Sequence, residues 1–136
     1  MHVHIDGGSR GNPGPAGYGV RFTAPDGTPV AELSEPIGIA TNNVAEYRGL
    51  LAALEHAVAQ GYRDLVVHSD SELLVRQMRG EYRVKHPGLQ PLHCRARILL
   101  TRLGRVTFVH VRREANTRAD ELANLAMDRA PDRPHR

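Results

Sequence analysis

Four acidic residues stand where a folded chain could use them for chemistry. Asp6 follows the alternating stretch HVHI, Asp70 closes the apolar run DLVVHSD, and Glu46 and Asp120 fall in the opening turns of two segments with helical periodicity. The first two are expected at strand carboxyl ends and the other two in first turns of helices. Carboxylates drawn from four elements onto one edge of a sheet cannot all stay ionised, because like charges raise each other's pKa. A cation relieves that repulsion. A set of hard oxygen ligands with no companion His or Cys set favours Mg²⁺, with Mn²⁺ as the alternative, over zinc. Two such ions about 4 Å apart would clamp the attacking and leaving oxygens of a phosphodiester.

Each acid also has a plainer reading. Asn43 with Glu46, and Thr117 with Asp120, have the spacing of helix capping boxes. Asp70 fits a cap for a helix starting near Ser71, and Asp6 fits an Asx-turn. Glu46 is the hardest to explain this way. Residues 46, 50, 53, 54 and 57 share one helix face, and all but Glu46 are apolar. A carboxylate on a core-facing stripe must be satisfied or lie near an opening. Taken together, four such acids make the plain readings weaker than they are singly.

The elements that must position these residues follow from periodicity. Strands are expected at 2–5, 18–24 and 30–38, with Asp26-Gly27 as the second turn. A helix over 42–62 is closed by Gly61, and a continuous apolar strand at 64–70 is expected to be covered on both faces. A short helix at 71–80, a connector at 81–88, a helix at 89–104, a strand at 105–111, a loop at 113–116 and a helix at 117–130 complete the chain. The order βββαβααβα predicts an α/β fold, in which a three-stranded antiparallel meander is joined by two parallel strands in a five-stranded mixed sheet flanked by helices. Such sheets place active sites at strand carboxyl ends. The reading is one domain, 1–130, with a C-terminal tail at 131–136.

The 136 residues are 40% apolar and 24% charged, which describes a folded globule rather than a disordered chain. There is no apolar run of membrane-spanning length and no secretory signal pattern, so no membrane partner is expected. The single cysteine, Cys94, excludes an internal disulfide framework and fits a cytoplasmic location. A net charge of +3 is compatible with a phosphate-bearing partner.

The stretches DGGSRGNPGPAGYG, TNNVAEYRGLLAAL, SDSELLVRQM and NTRADELANLAM resemble, in order and spacing, the successive motifs of the ribonuclease H type 1 family. The resemblance covers nearly the whole chain. It implies the ribonuclease-H-like fold and an endonuclease that cuts the RNA strand of RNA–DNA hybrids, leaving 5′-phosphate and 3′-hydroxyl ends. It also implies two Mg²⁺ ions held by Asp6, Glu46, Asp70 and Asp120, with Asp6 bridging and Asp120 more peripheral.

By the same resemblance, Gly11 and Asn12 contact the RNA strand, and Asn42 and Asn43 contact the minor groove of the hybrid. The glycines behind Asp6 would let backbone approach the sugar-phosphate chain. Glu72 and Asn116 match further family positions, although a solvated helix residue and a helix cap explain them equally well. Lys85 sits where better-known members carry a long basic protrusion. That protrusion is absent here, which implies weaker hybrid binding and opens double-stranded RNA as a second substrate. Arg76, Arg79, Arg83 and Lys85 are either a partial substitute or a solvated basic face. In the short loop before the last helix, Arg113 fits the cation of short-loop subtypes, while a gap-free count puts His110 there instead.

A monomer is expected. Two rivals stay open: a module that binds hybrids without cutting them, and another nuclease of the same superfold, such as a junction resolvase or an exonuclease. The complete quartet speaks against the first, and DGGSRGNPGPAGYG with TNN against the second.

Overall fold

The computed structural model describes residues 1–129, so the tail expected at 131–136 lies outside the described residues. The elements run β1 (His2–Ser9), β2 (Gly14–Thr23), β3 (Pro29–Ala40), α1 (Asn42–Gln60), β4 (Leu65–Ser69), α2 (Glu72–Met78), α3 (Gln90–Leu100), β5 (Val106–His110), a 3₁₀ turn (Arg113–Ala115) and α4 (Thr117–Arg129). They form one five-stranded sheet in the order β3-β2-β1-β4-β5. β1, β2 and β3 pair antiparallel, while β1–β4 and β4–β5 are parallel. This is the ribonuclease H fold and the expected mixed sheet.

Alternation along the strands divides the sheet into two faces. Val3, Ile5, Val20, Phe22, Leu65, Val67 and Phe108 pack with buried residues of α1, α2 and α3 in one core. The other face meets α4, which lies across β1, β2 and β3. Glycine makes that second contact close: a Cβ on Gly17 would fall 2.6 Å from the Ala126 methyl, and one on Gly19 would fall 2.5 Å from Leu122 Cβ.

Several expected boundaries shift. β2 begins at Gly14 rather than at residue 18, because residues 14–17 continue the ladder against β3. Glycine and proline composition argues for a turn locally, and cross-strand pairing overrides it. α3 ends at Leu100, and the residues after it form a turn rather than a last helical turn to 104. The loop expected at 113–116 winds into the 3₁₀ turn. Gly61, with φ 77°, closes α1, and Asp26 Oδ1 accepts from Thr28 N at 3.0 Å in the expected turn.

β4 is not covered on both faces by helices. α4 leaves that end of its face to three histidines: the His4 and His68 rings stack 4.3 Å apart, and His2 Nδ1 lies 2.9 Å from His68 Nε2. Val66 and His68 are accordingly half-buried.

Candidate active site

Parallel pairing brings the first two acids together. Ile5 stands opposite Ser69 in the β1–β4 register, so the residues that follow, Asp6 and Asp70, come side by side where that parallel pairing stops. Only Asp70 lies past a strand end: β1 does not stop at residue 5 as expected but runs on to Ser9, because its pairing with β2 continues, and Asp6 sits within it opposite Gly19. Asp6 is only 8% exposed. Asp70 is not the cap of α2. Ser71 takes that role, its hydroxyl accepting from Leu74 N at 3.2 Å, which leaves the Asp70 carboxylate uncommitted to the helix.

Glu46 arrives from above the sheet. The cap of α1 is Thr41, whose hydroxyl accepts from Val44 N at 3.2 Å, so the expected Asn43–Glu46 capping box does not form. Glu46 instead points into the interior, where Oε1 accepts from the backbone N–H of Gly7 and Oε2 is buried with no hydrogen-bond partner. A side chain on residue 7 would overlap the backbone of Ala45 and Glu46, so only glycine lets α1 cross β1 this closely. Part of the glycine-rich stretch thus serves the packing of the protein's own helices.

One oxygen each from Asp6, Glu46 and Asp70 lies within 4.8 Å of the others. Asp120 lines the same cavity from the first turn of α4 but falls outside this close set. α4 starts at Thr117, and Asp120 N donates to the Asn116 carbonyl at 3.0 Å, so Thr117 is the first helical residue rather than the expected cap. The cavity measures about 430 Å³ and opens to solvent.

The electrostatics follow from this crowding. Burial, then the charges of Asp70 and Asp120, push the Asp6 carboxyl up to about 7. Burial, then Asp6 and Asp70, hold Glu46 well above the usual carboxylate range, with the Gly7 N–H opposing. Burial also raises Asp70, against the pull of Arg113. Such a cluster ionises poorly by itself and is stabilised by a cation. The orphaned Glu46 oxygen and the all-oxygen donor set fit a hard divalent ion such as Mg²⁺ or Mn²⁺.

The remaining expected residues are distributed unevenly. Asn42 and Asn43 line the cavity. Asn42 Oδ1 accepts from Ser9 N at 2.8 Å, and Asn42 N donates to Asn12 Oδ1 at 2.9 Å, so Asn12 and Asn42 clasp the β1–β2 loop onto the start of α1. Gly11 sits in that loop with φ 112°. Arg113 lines the cavity, whereas His110 ends β5, exposed and outside the lining.

Asn116 is 1% exposed, and its Nδ2 donates to the Ile5 carbonyl at 2.8 Å. Glu72 is exposed and ion-paired to Arg76 at 2.8 Å, and Lys85 is exposed on the connector, both away from the cavity lining. Arg76 and Arg79 are drawn into contacts with Glu81 at 3.0 and 3.8 Å, while no ion pair involves Arg83 or Lys85 among the described residues. The first two therefore belong to an internal network.

Ser9, Arg10, Ser71, Asn124 and Met127 also line the cavity and were not foreseen. Asn124 was within reach of sequence reasoning, since it follows Asp120 by four residues on one helix face.

Comparison with known proteins adds a separate line of support. Residues 4–126 match the reverse transcriptase-like family. A bifunctional protein of Mycobacterium tuberculosis is 53% identical over 129 residues, covering 94% of this chain and 35% of that protein. The chain thus spans about a third of the length of that relative. The crystal structure of ribonuclease H1 from Halobacterium salinarum superposes with a TM-score of 0.91 at 46% identity, covering 95% of this chain and 98% of the other. A ribonuclease H1 solved in complex with an RNA/DNA hybrid superposes at 0.90 with 45% identity, covering 93% and 96%. With the fold, the carboxylate cluster and these similarities in agreement, the chain belongs to the ribonuclease H type 1 family.

Proposed function

We propose that this chain is a divalent-metal-dependent endonuclease that hydrolyses the RNA strand of RNA–DNA hybrids, leaving 5′-phosphate and 3′-hydroxyl ends. The observation that carries this reading is the convergence of Asp6, Glu46 and Asp70 oxygens, from three separate elements, within 4.8 Å. A relative that shares the fold at 45% identity was solved with an RNA/DNA hybrid bound.

Asp6, Glu46 and Asp70 hold the ions, with Asp120 completing the set from the cavity wall. A pair of divalent ions supplies Lewis-acid charge for an in-line displacement at phosphorus, favouring both the attacking water and the leaving 3′-oxygen. The Gly7 N–H fixes one Glu46 oxygen and leaves the other turned to the cluster. Arg113, beside Asp70, offsets negative charge that builds on the phosphate. The Asn12–Asn42 clasp and Asn43 form the rim on which the minor groove rests, where amides can engage 2′-hydroxyls.

The test is a panel of end-labelled RNA–DNA hybrid, double-stranded RNA and single-stranded DNA, each with Mg²⁺ and with EDTA. Hybrid cleaved only with Mg²⁺ supports the reading. A mobility shift without products in either condition replaces it with a binding module.

A further inference from the structure

Among the described residues, two basic ones line the cavity, Arg10 and Arg113. Arg113 belongs to the 3₁₀ turn that precedes α4, and its charge acts on Asp70. Arg10 comes from the loop after β1 and reaches the second half of α4. There its Nη1 pairs with Asp128, and its Nη2 lies 3.3 Å from Asn124 Oδ1 and 3.5 Å from the Asn124 carbonyl. Arg10 therefore approaches the cavity from the second half of α4, and Arg113 from the turn before its first residue.

Asp128 is an odd choice for its position. It occupies the last turn of α4, where the helix macrodipole disfavours an anion. Its ion-pair partner among the described residues is Arg10. The side chains of that pair are 48% and 58% exposed, and so open an ion pair contributes little to stability. Asp128 is therefore better explained by where it holds Arg10 than by any gain to the helix. The Asn124 side chain keeps the arrangement aligned with the acids, because its Nδ2 donates to the Asp120 carbonyl at 3.0 Å.

We propose that Arg10 is a substrate-contacting residue: it binds a phosphate of the strand being cut, adjacent to the scissile one, and exchanges Asp128 for that phosphate when the strand arrives. The inference rests on the hydrolase reading for the identity of the strand. A row of carboxylates repels every phosphate except the one facing the metal ions. A strand crossing it needs cationic purchase beyond the cluster, and Arg10 provides it on the side that Arg113 does not reach. The planar guanidinium matches phosphate oxygens two at a time, and an exposed carboxylate partner is displaced at small cost. The α4 residues 120, 124 and 128, spaced by fours, form the wall along which that strand would run.

The test uses fluorescein-labelled RNA–DNA hybrid with wild type, Arg10→Ala, Arg10→Lys and Asp128→Asn, read by anisotropy in EDTA and by KM and kcat in Mg²⁺. Arg10→Ala is expected to weaken binding and raise KM about tenfold, with the larger share of the loss in KM, and to reduce the slope of log affinity against log salt by about one. Arg10→Lys should retain the salt slope while recovering only part of the affinity. Asp128→Asn, which removes the competitor, should bind hybrid as tightly as wild type or more tightly.

Unchanged affinity and salt slope in Arg10→Ala would overturn the inference. So would equal weakening in Arg10→Ala and Asp128→Asn with matching losses of melting temperature, since that pattern describes a structural staple. If wild type binds hybrid but does not cut it in Mg²⁺, the hydrolase reading fails, and the anisotropy slopes still decide the role of Arg10.

Discussion

Replacing Asp6 by Asn should stabilise the metal-free protein while removing its activity. The Asp6 carboxyl rises from 3.8 to about 7, chiefly through burial and then through Asp70 and Asp120. At about 1.4 kcal/mol per pKa unit, holding it ionised above pH 7 costs the fold on the order of 4 kcal/mol. Asp6 and Glu46 titrate as a pair, so neutralising Asp6 alone returns less than the whole, on the order of 2 kcal/mol. At about 3–5 °C per kcal/mol for a domain of this size, the melting temperature should rise by about 6–10 °C at pH 8 in EDTA. The sign follows from linkage. A carboxyl with a raised folded-state pKa binds its proton more tightly in the folded chain, so stability falls as pH climbs from about 4 to about 7. The gap between Asp6→Asn and wild type should therefore be near zero at pH 4 and full above pH 7. Saturating Mg²⁺ should stabilise wild type and close much of that gap. Melting curves across this range, with EDTA and with Mg²⁺, check the reasoning. A variant less stable than wild type at pH 8 in EDTA, or a gap that does not change with pH, would refute it.

Asn116→Ala should destabilise the protein by about 1–3 kcal/mol in urea titrations and lower cleavage as well, because it strips the Ile5 carbonyl of a buried donor one residue before Asp6. The stacked histidines predict a second pH effect. His4 is lowered to about 4 and His68 is also lowered, both mainly by burial. Groups with depressed folded-state pKa values contribute stability that is present above about 6.5 and lost as pH falls toward 4. The double variant His4→Gln, His68→Gln should show a flatter decline of urea midpoint across that window, and an unchanged decline would count against the stack.

Most of the architecture was legible because periodicity reports directly on burial. The stripe at 46, 50, 53, 54 and 57 does face the core, and Glu46 on it is indeed the anomaly that marks the site. The pairing of Asp6 with Asp70 was within reach because the strand that follows α1 runs parallel to β1, which sets Ile5 opposite Ser69, although β1 itself continues past Asp6. Local capping rules failed where tertiary partners decide. Thr41 caps α1, and Glu46 turns to Gly7, 39 residues earlier in the chain. No short-range signal reports that contact, since it depends on a missing Cβ beneath a crossing helix. Residues 14–17 look like a turn in isolation and become strand because β3 pairs with all four and β1 with Ala16 and Gly17. Arg10 was invisible for the same reason, with partners 114 and 118 positions away on α4.

Asp70 contributes one oxygen to the close set and does not cap α2. Cleavage of labelled RNA–DNA hybrid in Mg²⁺ should be measured for wild type and Asp70→Asn, with hybrid affinity measured on the same preparations. Abolished cleavage with retained hybrid binding is the predicted result. Turnover by Asp70→Asn at a rate near that of wild type would contradict the claim that these carboxylates hold the ions that cut.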